Sequence, residues 1–454
     1  TADDVKFTYD KLVSPEVASP RSPDYLTVES VDVLDRYTVR VTYKKPYSSA
    51  LLSWAMSILP RHILEGRPVR PWWAKNFDRH PIGTGPYKFG QWKPGELIKL
   101  VRNDAYYEGP PTLDGIWIRY IPNQLNIDLS LQTGGIDFYS VQPFAVGQFK
   151  NNKRFRLFEF ESRGYNYIGW NMKNPLFQDR RVRQALAHAV NVEALIKYKL
   201  YGQAVQSTGI YTPQFWFCNP NIKPFGYDPA KALELFAEAG WTRKGKDGPL
   251  VDKNGRQFEF TLITNNANEQ RRDIGVIVQS DLDKLGIKVN LELFEWSVFI
   301  ERYIDQQNFD ACILGWSTGI DYDMYQLFHS SQTHPKELNF CSYKNPQADR
   351  LIEQMRTTFD REKVRQLAWK LQATIYEDQP YLFLYVPMAT VALRKAELPD
   401  GSYVDRFRVY RPLGNGQWVD EPIRQVKAGF SLYLPYWYLT SNPPAALKSK
   451  EAGK

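Results

Sequence analysis

The stretch from Phe258 to Leu314 constrains this chain most, because its hydrophobic period switches repeatedly between that of a strand and that of a helix. Phe258-Glu259-Phe260-Thr261-Leu262 and Ile287-Lys288-Val289-Asn290-Leu291-Glu292-Leu293 alternate as strands do. Between them, Asn268 to Leu285 carries a helical pattern closed by Gly286, another helix begins near Ser297, and Phe309 to Leu314 is a nearly all-apolar strand. A β-α-β-α-β order makes a parallel sheet with right-handed crossovers, and ligands bind such sheets beyond the carboxyl ends of the strands. Asn265 to Arg272, Glu295-Trp296 and Gly315 to Asp323 occupy that edge. Topology alone thus predicts a pocket lined by Trp, paired Arg and Asp.

The flanking chain is more mixed. Asp228-Pro229 and the apolar-periodic run through Leu233 and Phe236 to Gly240 have an N-cap, a proline at the first helical position and a closing glycine, which predict a helix. Residues 1 to about 80 hold one helix signal and the alternation Tyr37 to Tyr43. From Gly83 to Pro122 the pattern is strand-like, with a turn at Lys93-Pro94-Gly95. Gly83-Thr84-Gly85 leads into Pro86 and a strand rather than a helix N-terminus, so it is not a phosphate loop. The opening Thr1-Ala2-Asp3-Asp4-Val5-Lys6-Phe7 reads as a helix start already inside a folded domain, so the natural N-terminus is expected upstream. Asn442 to Lys454 is polar and Lys-rich and is expected to fray.

Composition excludes several classes. Lys plus Arg is 58 against 50 Asp plus Glu, a balance of +8 spread along the chain rather than gathered into runs. A nucleic-acid groove is therefore not expected. Cys218, Cys312 and Cys341 lie far apart, with no C-x-x-C and no nearby histidine pair, so neither a zinc site nor any other cofactor is expected. No apolar run is long enough to span a bilayer as a helix.

Gly315-Trp316-Ser317-Thr318-Gly319 fits G-x-S-x-G, the nucleophile elbow of serine hydrolases. That elbow needs a helix directly after the serine, and a histidine and an acid later in the chain. Ser317 is instead followed by a loop-like Thr318 to Asp323, and the later histidines, His329 and His334, come too soon to return on their own strand and loop. A serine hydrolase at Ser317 is the alternative of another class.

Ordered blocks along the chain resemble the family 5 extracellular solute-binding proteins, receptors of bacterial ABC importers for dipeptides, oligopeptides and related solutes. The blocks are Thr1 to Phe7 with Leu59-Pro60-Arg61-His62, then Gly83-Thr84-Gly85-Pro86-Tyr87, Arg102-Asn103 with Tyr106, and Gly135-Ile136-Asp137. Asn171 with Asp179-Arg180-Arg181-Val182-Arg183-Gln184-Ala185-Leu186 is the most specific. Tyr227-Asp228-Pro229 through Ala239-Gly240-Trp241, Gly315-Trp316, Asn345-Pro346 with Asp349, Leu351 and Ile352, and Gln379-Pro380 complete the set.

The resemblance implies an α/β protein of the periplasmic binding protein type II fold, a bilobal clam with an extra subdomain in its first lobe. Two crossover strands would join the lobes, one near Tyr165 to Asn171 and the other near Tyr381 to Val391. Residues 1–80 would belong to the first-lobe subdomain, 81–168 to the first lobe, 169–385 to the second lobe, and 386–454 to the return to the first lobe and the tail. In such receptors the start of the first lobe and the secretion signal precede the point where this sequence opens. A periplasmic or cell-surface location, free or lipid-anchored, is implied, as is a monomer whose partner is the transmembrane permease.

Peptide receptors of the family hold the ligand's α-ammonium with an aspartate shortly after the Gly-Trp. Asp321 is the better match here and Asp323 the second, in a loop that looks about two residues longer than the common pattern. An ammonium taken out of water needs a charge-assisted partner, which is the physical reason for a carboxylate there. An Asx turn or helix cap is the structural alternative for both. Arg271 and Arg272, in the first turn of their helix, resemble the basic pair that some dipeptide receptors use for the ligand carboxylate. Trp316 either stacks on the ligand or packs the core; Trp296 and Ser317 share the same edge. Relatives that carry oligosaccharides or metal chelates keep those ligands open, and 13 Trp with 28 Tyr would suit sugar stacking.

Overall fold

The period switches of the Phe258–Leu314 stretch become the strands Glu259–Asn265, Lys288–Phe294 and Ala311–Ser317 in the computed structural model, which describes residues 1–17, 19, 21–73, 75–413, 417–423 and 434–447. Glu259–Asn265 lies parallel to both of the others and between them. The intervening helix, Glu269–Asp283, starts where the Asn268 side chain accepts from the Arg271 amide at 3.0 Å. Gly286, at φ +78°, turns the chain back into the next strand. Asp228 likewise accepts from the Lys231 amide and opens the helix Pro229–Glu238.

The third strand differs from its sequence pattern. It begins at Ala311 rather than Phe309 and continues past Leu314 to Ser317, because the antiparallel strand Gly164–Trp170 pairs with all of it. Ser317 is thus the last residue of a ladder, opposite Gly164, and the next helix begins only at Tyr325. A Cβ on Gly164 would stand 2.4 Å from the Trp316 carbonyl oxygen, so only glycine lets the two strands approach at this lip. Along this strand Ala311 and Ile313 enter one buried cluster, while Cys312 and Leu314 enter the cluster on the opposite face. A strand covered on both faces reads as a continuous apolar run, which explains the sequence pattern. All three cysteines are free.

One long strand runs through both halves of the nine-stranded sheet. Tyr381–Glu397 pairs with Gly164–Trp170 through Tyr381, Leu382, Phe383 and Tyr385, and with Phe155–Glu161 from Met388 to Arg394. Pro387 sits at the changeover, where it lacks a donor for either ladder, and its carbonyl accepts from Ser162, in the turn between the two partner strands. The segments Tyr165 to Asn171 and Tyr381 to Val391, which the resemblance marks as crossovers, fall on Gly164–Trp170 and Tyr381–Glu397.

The N-terminal unit is built separately. Helix Ala2–Leu12 packs on the hairpin Val28–Asp35 and Thr38–Tyr43 around Tyr25, Val28 and Val31, with Tyr9 and Trp54 stacked at 5.7 Å. Among the described residues its hairpin pairs with no other strand, and its buried cluster has no member beyond Met56. The strands Tyr87–Lys93, Leu97–Arg102 and Gly115–Arg119 form a further antiparallel sheet. Of the polar tail, residues 448–454 lie outside the described residues.

Candidate functional site

Beyond the carboxyl end of Ala311–Ser317 the chain loops back, and between this loop and the N-terminal unit lies a cleft of about 500 Å³. Trp316, Ser317, Asp321 and Asp323 line one wall; Arg21, Asp24 and Tyr47 line the other. Trp316 has its indole ring near-parallel to Tyr167 at 6.3 Å and tilted against Phe340 at 5.9 Å, and its Nε1 donates to the Tyr381 hydroxyl at 3.5 Å. Three packed aromatics thus fix one side of that indole, and its remaining edge is on the cleft.

The two loop aspartates differ in kind. Asp323 is tied down: Arg356 Nε lies 3.2 Å from Oδ2, the Tyr47 hydroxyl donates to Oδ2 at 3.0 Å, and Oδ1 accepts from the Tyr325 amide at 3.0 Å. Asp321 Oδ1 accepts from the Ser49 hydroxyl at 2.8 Å and from the Asp323 amide at 3.1 Å. The latter bond is the Asx turn that was its structural alternative. Among the described residues no cation stands within ion-pair distance of Asp321. Burial, opposed by the Ser49 hydrogen bond and reinforced by the Asp323 charge, pushes its carboxyl up to about 6.

The basic pair is split. Arg271 turns inward: Nη1 donates to Asn265 Oδ1 at 3.1 Å, and Nη2 lies 3.5 Å from where a Cβ on Gly315 would stand. Among the described residues its Nε is buried without a partner and no carboxylate pairs with it, and burial lowers its pKa. Arg272 turns outward, donating to the Asn266 carbonyl at 2.8 Å. Helical neighbours point in different directions, so one basic pair in sequence becomes one desolvated guanidinium and one exposed one. Trp296 is 47% exposed beside Phe299, and neither it nor the arginines line the cleft.

Sequence reasoning missed Asp24, Tyr47, Ser49 and Arg356. The Gln326 amide donates to Asp24, and Arg21 pairs with Asp24 at 3.7 Å. Burial raises the Asp24 carboxyl. These residues lie far from the loop in sequence, and no local pattern marks them. Only Arg356 carries a weak signal, a cation in the last turn of the helix Pro346–Thr357, where it also suits the helix dipole.

The mixed α/β architecture on a nine-stranded sheet, with a charged cleft beside the carboxyl ends, is that of the type II periplasmic binding-protein fold. Residues 1–336 match the bacterial extracellular solute-binding proteins, family 5 middle, and the chain belongs to that family of transport receptors, which are not enzymes. The hydrolase alternative at Ser317 is set aside by this membership and by the absence of a helix after the serine.

The chain is similar to the oligopeptide-binding protein AppA of Bacillus subtilis (strain 168), being 38% identical over 401 residues, 87% of this chain and 73% of that one. The structure of AppA in complex with a nonapeptide matches with a TM-score of 0.80 at 34% identity, over 97% of this chain and 84% of that one. NikZ from Campylobacter jejuni, solved in complex with Ni(L-His), matches with a TM-score of 0.78 at 26% identity, over 96% of this chain and 84% of that one.

Proposed function

We propose that this chain is the peptide-capturing component of an ABC importer, that it closes two lobes over its ligand, and that Asp321 takes the ligand's ammonium. The observation that carries this reading is a half-buried carboxylate, in a cleft, with no cation at ion-pair distance among the described residues. A desolvated charge without a partner is costly, and a cationic ligand group supplies the partner. Arg271 is a desolvated guanidinium that pairs with no carboxylate among the described residues; it lies outside the cleft, and we assign it to the ligand's carboxylate or to a backbone carbonyl on closure of the lobes. Trp316 stacks on the chain between.

In this reading the lobes are residues 1–168 with the return after residue 385, closing on residues 169–385. The receptor acts as a periplasmic or surface-held monomer and delivers its cargo to the permease. Metal chelates remain the second reading, favoured by the likeness to NikZ with its Ni(L-His).

The test is calorimetry with free-amine and N-acetylated peptides on wild type and Asp321→Asn. Truncating one partner of a buried charge pair costs about 2–5 kcal/mol, or about 30-fold to several thousand-fold in affinity. Asp321→Asn should weaken free-amine peptides by at least about tenfold and leave acetylated ones, poor ligands from the start, nearly unchanged. Equal losses for both ligand types would reduce Asp321 to a loop-shaping residue. Native mass spectrometry of the purified protein separates peptide from chelate by the mass of retained cargo.

A further inference from the structure

The charges around the cleft can be paired off one by one. Asp24 faces Arg21 at 3.7 Å, and Asp323 faces Arg356 at 3.2 Å; Asp321 faces neither guanidinium at ion-pair distance. Arg356 is held unusually well for a single side chain at the end of a helix. Its guanidinium lies 4.1 Å from the centre of the Tyr325 ring and 4.9 Å from that of Tyr47, and the side chain is only 12% exposed. The backbone behind it is held too. The Ser48 amide donates to the Arg356 carbonyl at 2.7 Å and the Ser48 hydroxyl to the Met355 carbonyl at 2.8 Å, which satisfies the last carbonyls of that helix. Tyr47, Ser48 and Ser49 are consecutive. The turn that clasps Arg356 therefore also delivers the hydroxyl that holds Asp321.

We propose that Arg356 is a positioning residue that sets the charge of the cleft: by pairing with Asp323 and anchoring the Tyr47–Ser49 turn, it leaves Asp321 as the one carboxylate without an ion pair among the described residues of the cleft, so the cleft takes a ligand group of one positive charge. This deepens the peptide reading and rests on it for the ligand. The groups facing the pair are Asp24 and Arg21 across the cleft, Tyr47 and Ser49 from the turn, Tyr325 from the following helix, and Tyr211, whose hydroxyl donates to the Tyr322 carbonyl at 2.7 Å. Arg21 is the one cation of that set, and its ion pair is with Asp24 rather than Asp321. Arg356 is the cation that pairs with the loop, and its ion pair is with Asp323.

The consequence is electrostatic, so charge swaps separate it from lost packing. Arg356→Gln would leave two carboxylates two residues apart with no counter-charge between them, and like charges disfavour ionisation. Asp323→Asn would do the reverse, freeing the guanidinium to act on Asp321 alone.

The experiment is a pH titration of the Asp321 carboxyl by carbon NMR on refolded, ligand-free protein with labelled aspartate. The signal is assigned by its loss in Asp321→Asn. Wild type should titrate near 6. Arg356→Gln should raise that midpoint by about one pH unit or more, Asp323→Asn should lower it, and the double variant Asp323→Asn/Arg356→Gln should return it close to wild type. Arg356→Lys, which keeps the charge but not the planar stacking, should stay near wild type. An unmoved midpoint in both single variants would overturn the proposal, and so would a rise that persists in the double variant, since that would trace to packing. Should Arg356→Gln not fold, Asp323→Asn and Arg356→Lys still decide the question.

A ligand arm uses nonapeptides headed by alanine or lysine. Arg356→Gln should improve the lysine-headed peptide about tenfold relative to the alanine-headed one, the equivalent of one added charge contact. Wild type that binds neither peptide would sink the peptide reading, while the titration would still stand or fall by itself.

Discussion

The Ser49 hydroxyl donates to Asp321 Oδ1 at 2.8 Å across 272 residues of sequence, and this bond ties the N-terminal unit to the carboxylate of the cleft. It also favours the ionised form of a group that burial disfavours. Ser49→Ala should therefore push the Asp321 carboxyl above its value of about 6. A hydrogen bond to a charged group contributes about 1.5–3 kcal/mol, so binding of a free-amine peptide should weaken about tenfold or more near neutral pH. The binding curve should recover at higher pH. A loss of equal size at every pH would point to packing instead.

Asp321 should make the empty receptor less stable. Its folded value of about 6 lies above the ordinary carboxylate range, so between the two the folded protein keeps a proton that the unfolded chain has released. Stability then falls as pH rises through that window, by about 3 kcal/mol at most. Asp321→Asn should raise the melting temperature of ligand-free protein at pH 7 and confer no gain near pH 4. Calorimetric melts at the two pH values check this, and a destabilised variant at pH 7 would contradict it. A site that binds better than it folds is the usual trade-off.

Asp323 belongs to the framework. Both it and Arg356 are nearly buried, with side chains 10% and 12% exposed. Removing one partner of such a pair leaves an uncompensated charge and costs about 3–5 kcal/mol. Asp323→Ala should lower the denaturant midpoint, while an exposed pair such as Lys6 with Asp10 should contribute under about 1 kcal/mol. Denaturant melts of Asp323→Ala and Asp10→Ala, compared side by side, give the contrast.

Ser317 should be chemically silent. It ends a paired strand opposite Gly164, with a loop rather than a helix after it. Ser317→Ala should leave ester and peptide substrates as untouched as wild type does, in the same assay. A wild-type hydrolysis that this change abolishes would refute the receptor reading.

Closure should be visible in solution. On one side the ladder of Tyr381–Glu397 changes partner at Pro387, from Gly164–Trp170 to Phe155–Glu161, and such a change of partner is where a crossover can absorb rotation. Small-angle scattering should give a smaller radius of gyration for the liganded protein than for refolded, empty protein. Identical curves would argue against a hinge.

Local pattern determined much of this molecule. Alternation and helical period place Glu259–Asn265, Glu269–Asp283 and Lys288–Phe294, and Asp228, Asn268 and the glycines at 240 and 286 bound their helices, because caps and turns are decided by neighbours in the chain. The order of those elements also placed Trp316, Asp321 and Asp323 at one sheet edge. Tertiary structure decided the rest. Ser317 joined a strand because Gly164–Trp170 pairs there, and Arg271 parted from Arg272 because adjacent helical residues face different surroundings. Nothing near Asp321 or Asp323 in sequence says which one a guanidinium will neutralise. Coulomb energies follow distance through space and burial, and Ser49, Tyr47 and Arg356 reach these carboxylates only when distant parts of the chain close on one another.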